Sequence, residues 1–278
     1  MFADKLLEDI QEEFDERYEE DSAISGLLEK KASGSATLID ADEYAMRVGT
    51  IMGSSTYAYM AGAFGDEQVL FGTASRILRS VLHTDYEKVA DYAAAAQKNL
   101  LKASGLGLNP VTPAFNEERA HGLAEYVSRA DSILDTAGQF VEAVANNAQS
   151  VVTDSIRENA DWQYRAGLSP TITRIAGAGS CSWCADQAGV YDYADVKKGG
   201  TDVFRRHLSC TCTVVYDPGN GRKQDVHSKR WVTEEELAKR KNHGLDRESL
   251  TPKERVALAN LRNNAIISGG ITGGLDRY

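Results

Sequence analysis

Four cysteines are the residues of this sequence whose type and spacing are suited to chemistry. They stand as Cys181-x-x-Cys184 and Cys210-x-Cys212, with His207 three positions before the second pair and no thiol anywhere else. A Cys-x-x-Cys pair on a tight turn aims both sulfurs at one point. A Cys-x-Cys pair on a strand does the same, because alternate residues share a face. The group offers four thiolates, or three thiolates and His207, which is the closed tetrahedral donor set of a structural zinc site. The readiness of thiolates to bind zinc favours Cys212 over His207 as the fourth ligand, leaving His207 to orient the site from behind the ligands. Two other states of the same residues stay open: a pair of disulfides, or reduced thiols packed as small hydrophobes. The loop from Cys184 to His207 is longer than in many short zinc fingers.

The elements that must position these residues are predominantly helical. Residues 2–32 read as one amphipathic helix, with Leu7, Ile10, Phe14 and Tyr18 on a narrow apolar stripe and acids elsewhere; Ser33-Gly34-Ser35 ends it. Asp42–Phe64 is helical and rich in small residues, and Gly49-x-x-x-Gly53 permits close packing against another helix. A further helix is expected over Gln68–Leu82, and a capping box at Thr84 and Glu87 opens another to about Ala103. Ser104–Pro113 reads as a loop, and the apolar period returns from Asn116 to Arg165 as two long helices, nearly continuous. Thr171–Ile175 changes to a β-type run, and Thr213–Tyr216 suits a strand leaving the second cysteine pair. Capping boxes at Thr233 and Thr251 predict short helices before a glycine-rich tail. The expected fold is mainly α: a helical domain at 1–168, a small α+β cysteine-rich, zinc-knuckle-like module at 169–231, and short helices with a flexible tail at 232–278.

Composition bounds the function. The 278 residues carry a formal charge of −10, unevenly placed: 14 Lys/Arg against 28 Asp/Glu before Thr173, and 17 against 13 from there on. The basic excess at the back is weak, so Arg205-Arg206, Arg222-Lys223, Lys229-Arg230 and Lys239–Lys241 read as solvated surface rather than a nucleic-acid face. No apolar run is long enough for a transmembrane helix, and the acidic start does not read as a signal peptide, so a reducing cytoplasm and no membrane partner are the expectation. His83 and His121 are isolated. An enzyme reading would use Asp225, His227 and His243 with His207 as a general base and a second metal site, which makes a zinc-dependent nuclease the alternative.

In order, Arg174, Cys181-Ser-Trp-Cys184, Ala188-Gly189, His207-Leu-Ser-Cys210-Thr-Cys212 and the stretch Tyr216–Trp231 resemble the minor head proteins of tailed bacteriophages, the phage Mu F-like or head-morphogenesis group. The likeness is strong over residues 171–231 and architectural over the helical front. It implies a non-enzymatic virion component inside the head near the portal, made in the host cytoplasm. Its partners would be the portal and the major capsid or scaffold proteins, with the packaged DNA as a further candidate, and its metal-binding positions would be Cys181, Cys184, His207, Cys210 and Cys212. The chain after Trp231 is too short for the protease or toxin domain that some relatives add. No catalytic residue is therefore assigned.

Overall fold

The structure is a computed structural model that describes residues 2–177, 179–199, 201–207 and 210–219, and the backbone of strands at 223–225 and 230–232. The expected helices after Thr233, the tail, and the side chains of Asp225, His227, Trp231 and His243 lie outside the described residues. The chain divides into two compact units, residues 1–158 with 207–209, and residues 159–206 with 210–278. It is mainly α, with eight α-helices among the described residues.

The first unit is built on helices α1 (Phe2–Glu20), α2 (Ser22–Ala32), α3 (Leu38–Phe64), α4 (Phe71–Ala103), α5 (Glu117–Arg129) and the front of α6 (Ala137–Arg165). The stretch expected as one helix over 2–32 is two. Asp21 breaks it, because its carboxylate accepts from the Ala23 and Ile24 amides at 2.9 Å and so caps a new helix. The narrow stripe of α1 docks on its own unit: Leu6, Ile10 and Phe14 are buried, Arg17 donates to Ser54 and Ser55, and the Tyr18 and Tyr44 hydroxyls meet at 2.7 Å. Thr37 and Asp40 form a capping box that starts α3. The expected break before Thr84 does not exist; α4 is one helix of 33 residues. Thr84 lies in its interior and turns its hydroxyl back to the Ser80 carbonyl at 3.3 Å, which satisfies the side chain without ending the helix.

Two glycines set how α3 meets α6. A methyl group at Gly49 would lie 2.6 Å from the Ala145 Cα and 2.8 Å from the Ala148 Cβ; at Gly53 it would lie 3.1 Å from the Val141 Cα. The backbones therefore touch where the sequence carries no side chain. On the other side of α3, Tyr44 stacks on Tyr92 at 4.5 Å, and the buried Tyr92 hydroxyl donates to the Leu27 carbonyl. These contacts tie α2, α3 and α4 into one core.

The second unit holds a three-stranded antiparallel sheet in the order β2-β1-β3, formed by β1 (Thr171–Ile175), β2 (Gly189–Asp192) and β3 (Thr213–Asp217). Ile172 faces Tyr191 on one neighbour and Tyr216 on the other. Along β1 burial alternates, with Ile172 and Arg174 inward. Short helices α7 (Ser182–Asp186) and α8 (Tyr193–Lys198) flank β2. The end of α6 reaches this sheet: Gln163 donates to the buried Tyr216 hydroxyl at 3.0 Å, and Asp161 accepts from Tyr193 and from Lys197. A two-stranded ribbon, β4 (Lys223–Asp225) with β5 (Arg230–Val232), follows.

Candidate metal centre

The site is assembled from two turns brought against one strand. After β1 the chain tightens through a turn in which the Ser180 hydroxyl donates to the Gly177 carbonyl at 2.7 Å. Gly177 is required there, since a Cβ would stand 2.0 Å from the Thr211 carbonyl oxygen. This close approach presses the first cysteine turn onto the second. Cys181 is the N-cap of α7 and Cys184 lies within that helix, so the i, i+3 spacing places both on one face. Cys210 and Cys212 are buried on either side of exposed Thr211, just before β3 begins. The expected strand alternation thus holds in the approach to the strand.

None of the four cysteines is in a disulfide; Cys181 is exposed and the other three are buried. The sulfurs of Cys184, Cys210 and Cys212 lie within 4.8 Å of one another, and Cys181 lies within the same distance of Cys184. Cys184 and Cys210 are 3.7 Å apart. Zinc–sulfur bonds of about 2.3 Å in a tetrahedron put neighbouring sulfurs about 3.8 Å apart. The observed spacing fits a shared metal and is far longer than the bond of about 2.05 Å in a disulfide. Trp183 packs against the buried thiols and covers them. The cysteine group can therefore hold a metal ion.

Arg174 is the largest fully buried side chain in the described structure, and it sits against this cluster. Its Nη1 donates to the carbonyls of Val203 and Arg205, both at 2.7 Å. Its Nη2 stands 3.6 Å from the sulfurs of both Cys184 and Cys210. The guanidinium also lies 5.3 Å from the Trp183 ring centroid. Burial works against its charge, but the sulfurs of Cys212, Cys184 and Cys210 hold its pKa above the ordinary value. Arg206 fastens the second pair from outside, donating to the Cys212 and Cys210 carbonyls at 2.8 and 3.0 Å.

The thiols differ accordingly. A hydrogen bond from Cys210, set against burial and aided by Arg174, brings Cys212 down to about 7. That same bond to Cys212, together with burial, pushes Cys210 up to about 12. Burial foremost raises Cys184. Cys212 is thus the thiol readiest to ionise, and every ligand still protonated must lose its proton when a metal enters.

No family model matches the chain, and no curated protein or solved structure matches it significantly. The chemistry of the site rests on its own geometry.

Of the other candidate residues, His207 is counted with the first unit, where its carbonyl accepts from the Asn146 amide. His83 and His121 each face a glutamate one turn on, Glu87 at 3.7 Å and Glu125 at 3.5 Å, and each packs on an aromatic ring, Phe115 and Phe71 respectively. Asp225 is placed only as a backbone position on β4. Sequence reasoning noted Arg174 as a marker of resemblance and missed its role. The signal was present: in Thr-Ile-Thr-Arg-Ile the period of two puts Arg174 on the buried face with Ile172, where a charge requires a partner.

Proposed function

We propose that this chain is a non-enzymatic structural component of a tailed-phage head, residing in the head interior near the portal. Its cysteine module would be held rigid by a structural zinc ion on Cys181, Cys184, Cys210 and either Cys212 or His207. The observation that carries the structural part is the inward burial of three thiols around a buried guanidinium. Such a cluster staples a small irregular sheet whose own apolar core is thin. A closed four-ligand zinc site has no open position and so generates no activated water. The viral part rests on the ordered likeness of Arg174, Cys181-x-x-Cys184, His207 and Cys210-x-Cys212 to the head-morphogenesis group, and the portal, capsid or scaffold proteins follow from it as partners. The helical front would make those contacts.

The test combines particles and chemistry. Proteomics of purified virions should find this chain as a low-copy component, and the purified protein should cleave no DNA in the presence of zinc or magnesium. The double variant Cys181→Ser, Cys184→Ser should give shells of normal form with reduced infectivity or reduced incorporation of this protein. Absence from virions, or metal-dependent cleavage lost on Asp225→Ala or His227→Ala, would replace this reading with the nuclease alternative.

A further inference from the structure

The most unusual group among the described residues is a cation shut off from solvent. Arg174 is completely buried on the central strand, and two of its nitrogens are accounted for by two carbonyls and two sulfurs. Its Nε has no hydrogen-bond partner among the described residues. An isolated buried charge is costly, and such a group persists only where a counter-charge is fixed beside it. Among the described residues, the neighbours of Arg174 are neutral carbonyls, the Trp183 ring and the thiols, so the group among them that can carry the counter-charge is sulfur.

The same balance holds from the metal's side. A divalent ion on four thiolates carries a net charge of −2, and on three thiolates and a histidine −1. Burying either anion without a cation nearby is unfavourable for the same reason. N–H groups directed at thiolate sulfurs also draw off part of their charge and stabilise the complex. Nη2 of Arg174 is placed to do this to two sulfurs at once, at equal distances of 3.6 Å. The carbonyls of Val203 and Arg205 hold Nη1, so the fork is fixed before any metal enters. The aromatic face of Trp183 adds a further favourable surface for the cation.

We infer that Arg174 is the built-in counter-cation of the metal centre, a positioning residue whose charge sets how tightly the thiolates hold their ion. This rests on the metal reading above, and the experiment separates the two. Full-length wild type, Arg174→Met, Arg174→Gln and Arg174→Lys would be prepared under reducing conditions. Zinc affinity would be measured by competition with a chromophoric chelator. Cobalt(II) would be titrated in parallel to record the sulfur-to-metal charge-transfer band and the tetrahedral d–d bands.

The expected result is a loss of zinc affinity of about 10–100-fold in Arg174→Met and Arg174→Gln, the range for partners that support metal ligands. In Arg174→Lys, which keeps the charge and loses the fork, part of that affinity should return. The cobalt bands should shift in the neutral variants, because the sulfurs lose their charged donor. Wild-type affinity in Arg174→Met, or a lysine variant as weak as the methionine one, would overturn the inference while leaving the metal site standing. A wild-type protein that binds neither ion would overturn both. If the neutral variants do not fold, the lysine variant decides: wild-type cobalt bands with affinity near wild type support the charge role, and lost binding in a folded protein refutes it.

Discussion

At the scale of single residues, burial decides which ionisable groups matter. The three buried thiols and exposed Cys181 should not contribute equally to a metal site. Cys184→Ala should reduce zinc stoichiometry well below one equivalent, because the Cys184 sulfur lies within 4.8 Å of Cys181 and also of Cys210 and Cys212; Cys181→Ala should weaken binding less, water being able to take the vacated position. Metal analysis of the two purified variants checks the order. Asp85 offers a second test. It lies wholly buried in α4, neither carboxylate oxygen has a hydrogen-bond partner among the described residues, and burial pushes its pKa well above the ordinary value, opposed by Lys88 one turn on. The folded protein therefore holds the Asp85 proton to higher pH than the unfolded chain, which releases it near pH 4. Folding takes up a proton, so this residue costs stability increasingly as pH rises above the unfolded value and until the folded one is reached. Asp85→Asn should raise stability more at pH 7 than near pH 4, as measured by urea unfolding at the two pH values.

At the scale of elements, the glycines of α3 give a graded prediction. Gly49→Ala should destabilise by about 2–3 kcal/mol, since its methyl meets α6 backbone that cannot rotate away; Gly53→Ala should cost less. Gly62→Ala on the same helix meets nothing within 4 Å and should stabilise by about 0.5–1 kcal/mol through helix propensity. Thermal unfolding of the three variants checks the order. The mainly helical front, the close packing at Gly49 and Gly53, and the strands at 171–175 and 213–217 were legible in the sequence, because hydrophobic period and residue size act locally. Errors came where a local signal had two uses. Thr84 matched a capping box, yet a threonine can equally bond back into a continuing helix, and the apolar period around Val81, Leu82 and Val89 prevailed. Asp21 was hidden among acids whose helical pattern continued past it, although its carboxylate ends α1 by capping α2. The thiol cluster was legible from spacing. The Arg174 fork was not, because its carbonyl partners lie 29 and 31 residues away in a segment with no regular period.

At the scale of the whole molecule, the two units differ in what should hold them together. The first has an apolar core running through Ile10, Phe14, Val48, Leu78, Val89 and Phe140; the second has a small sheet and a thiol cluster. A fragment of residues 1–168 should fold as helix without the cysteines, and circular dichroism of the fragment checks it. In the full chain a strong chelator should abolish the slow amide exchange of β1 and β3 while leaving helicity in α1 to α5 near its starting value. The buried guanidinium has a consequence for the order in which the second unit forms. β1 and β2 are near in sequence and would ordinarily close first as a local pair. Closing them, however, removes water from Arg174 before the 203–212 segment has arrived with its carbonyls and sulfurs. An early pair would thus trap an unsolvated cation, and it should not accumulate. The sheet, the loop and the cysteine turns should instead appear together, in one kinetic step, with the amides of Ile172–Arg174 and Val214–Tyr216 gaining protection at a single rate.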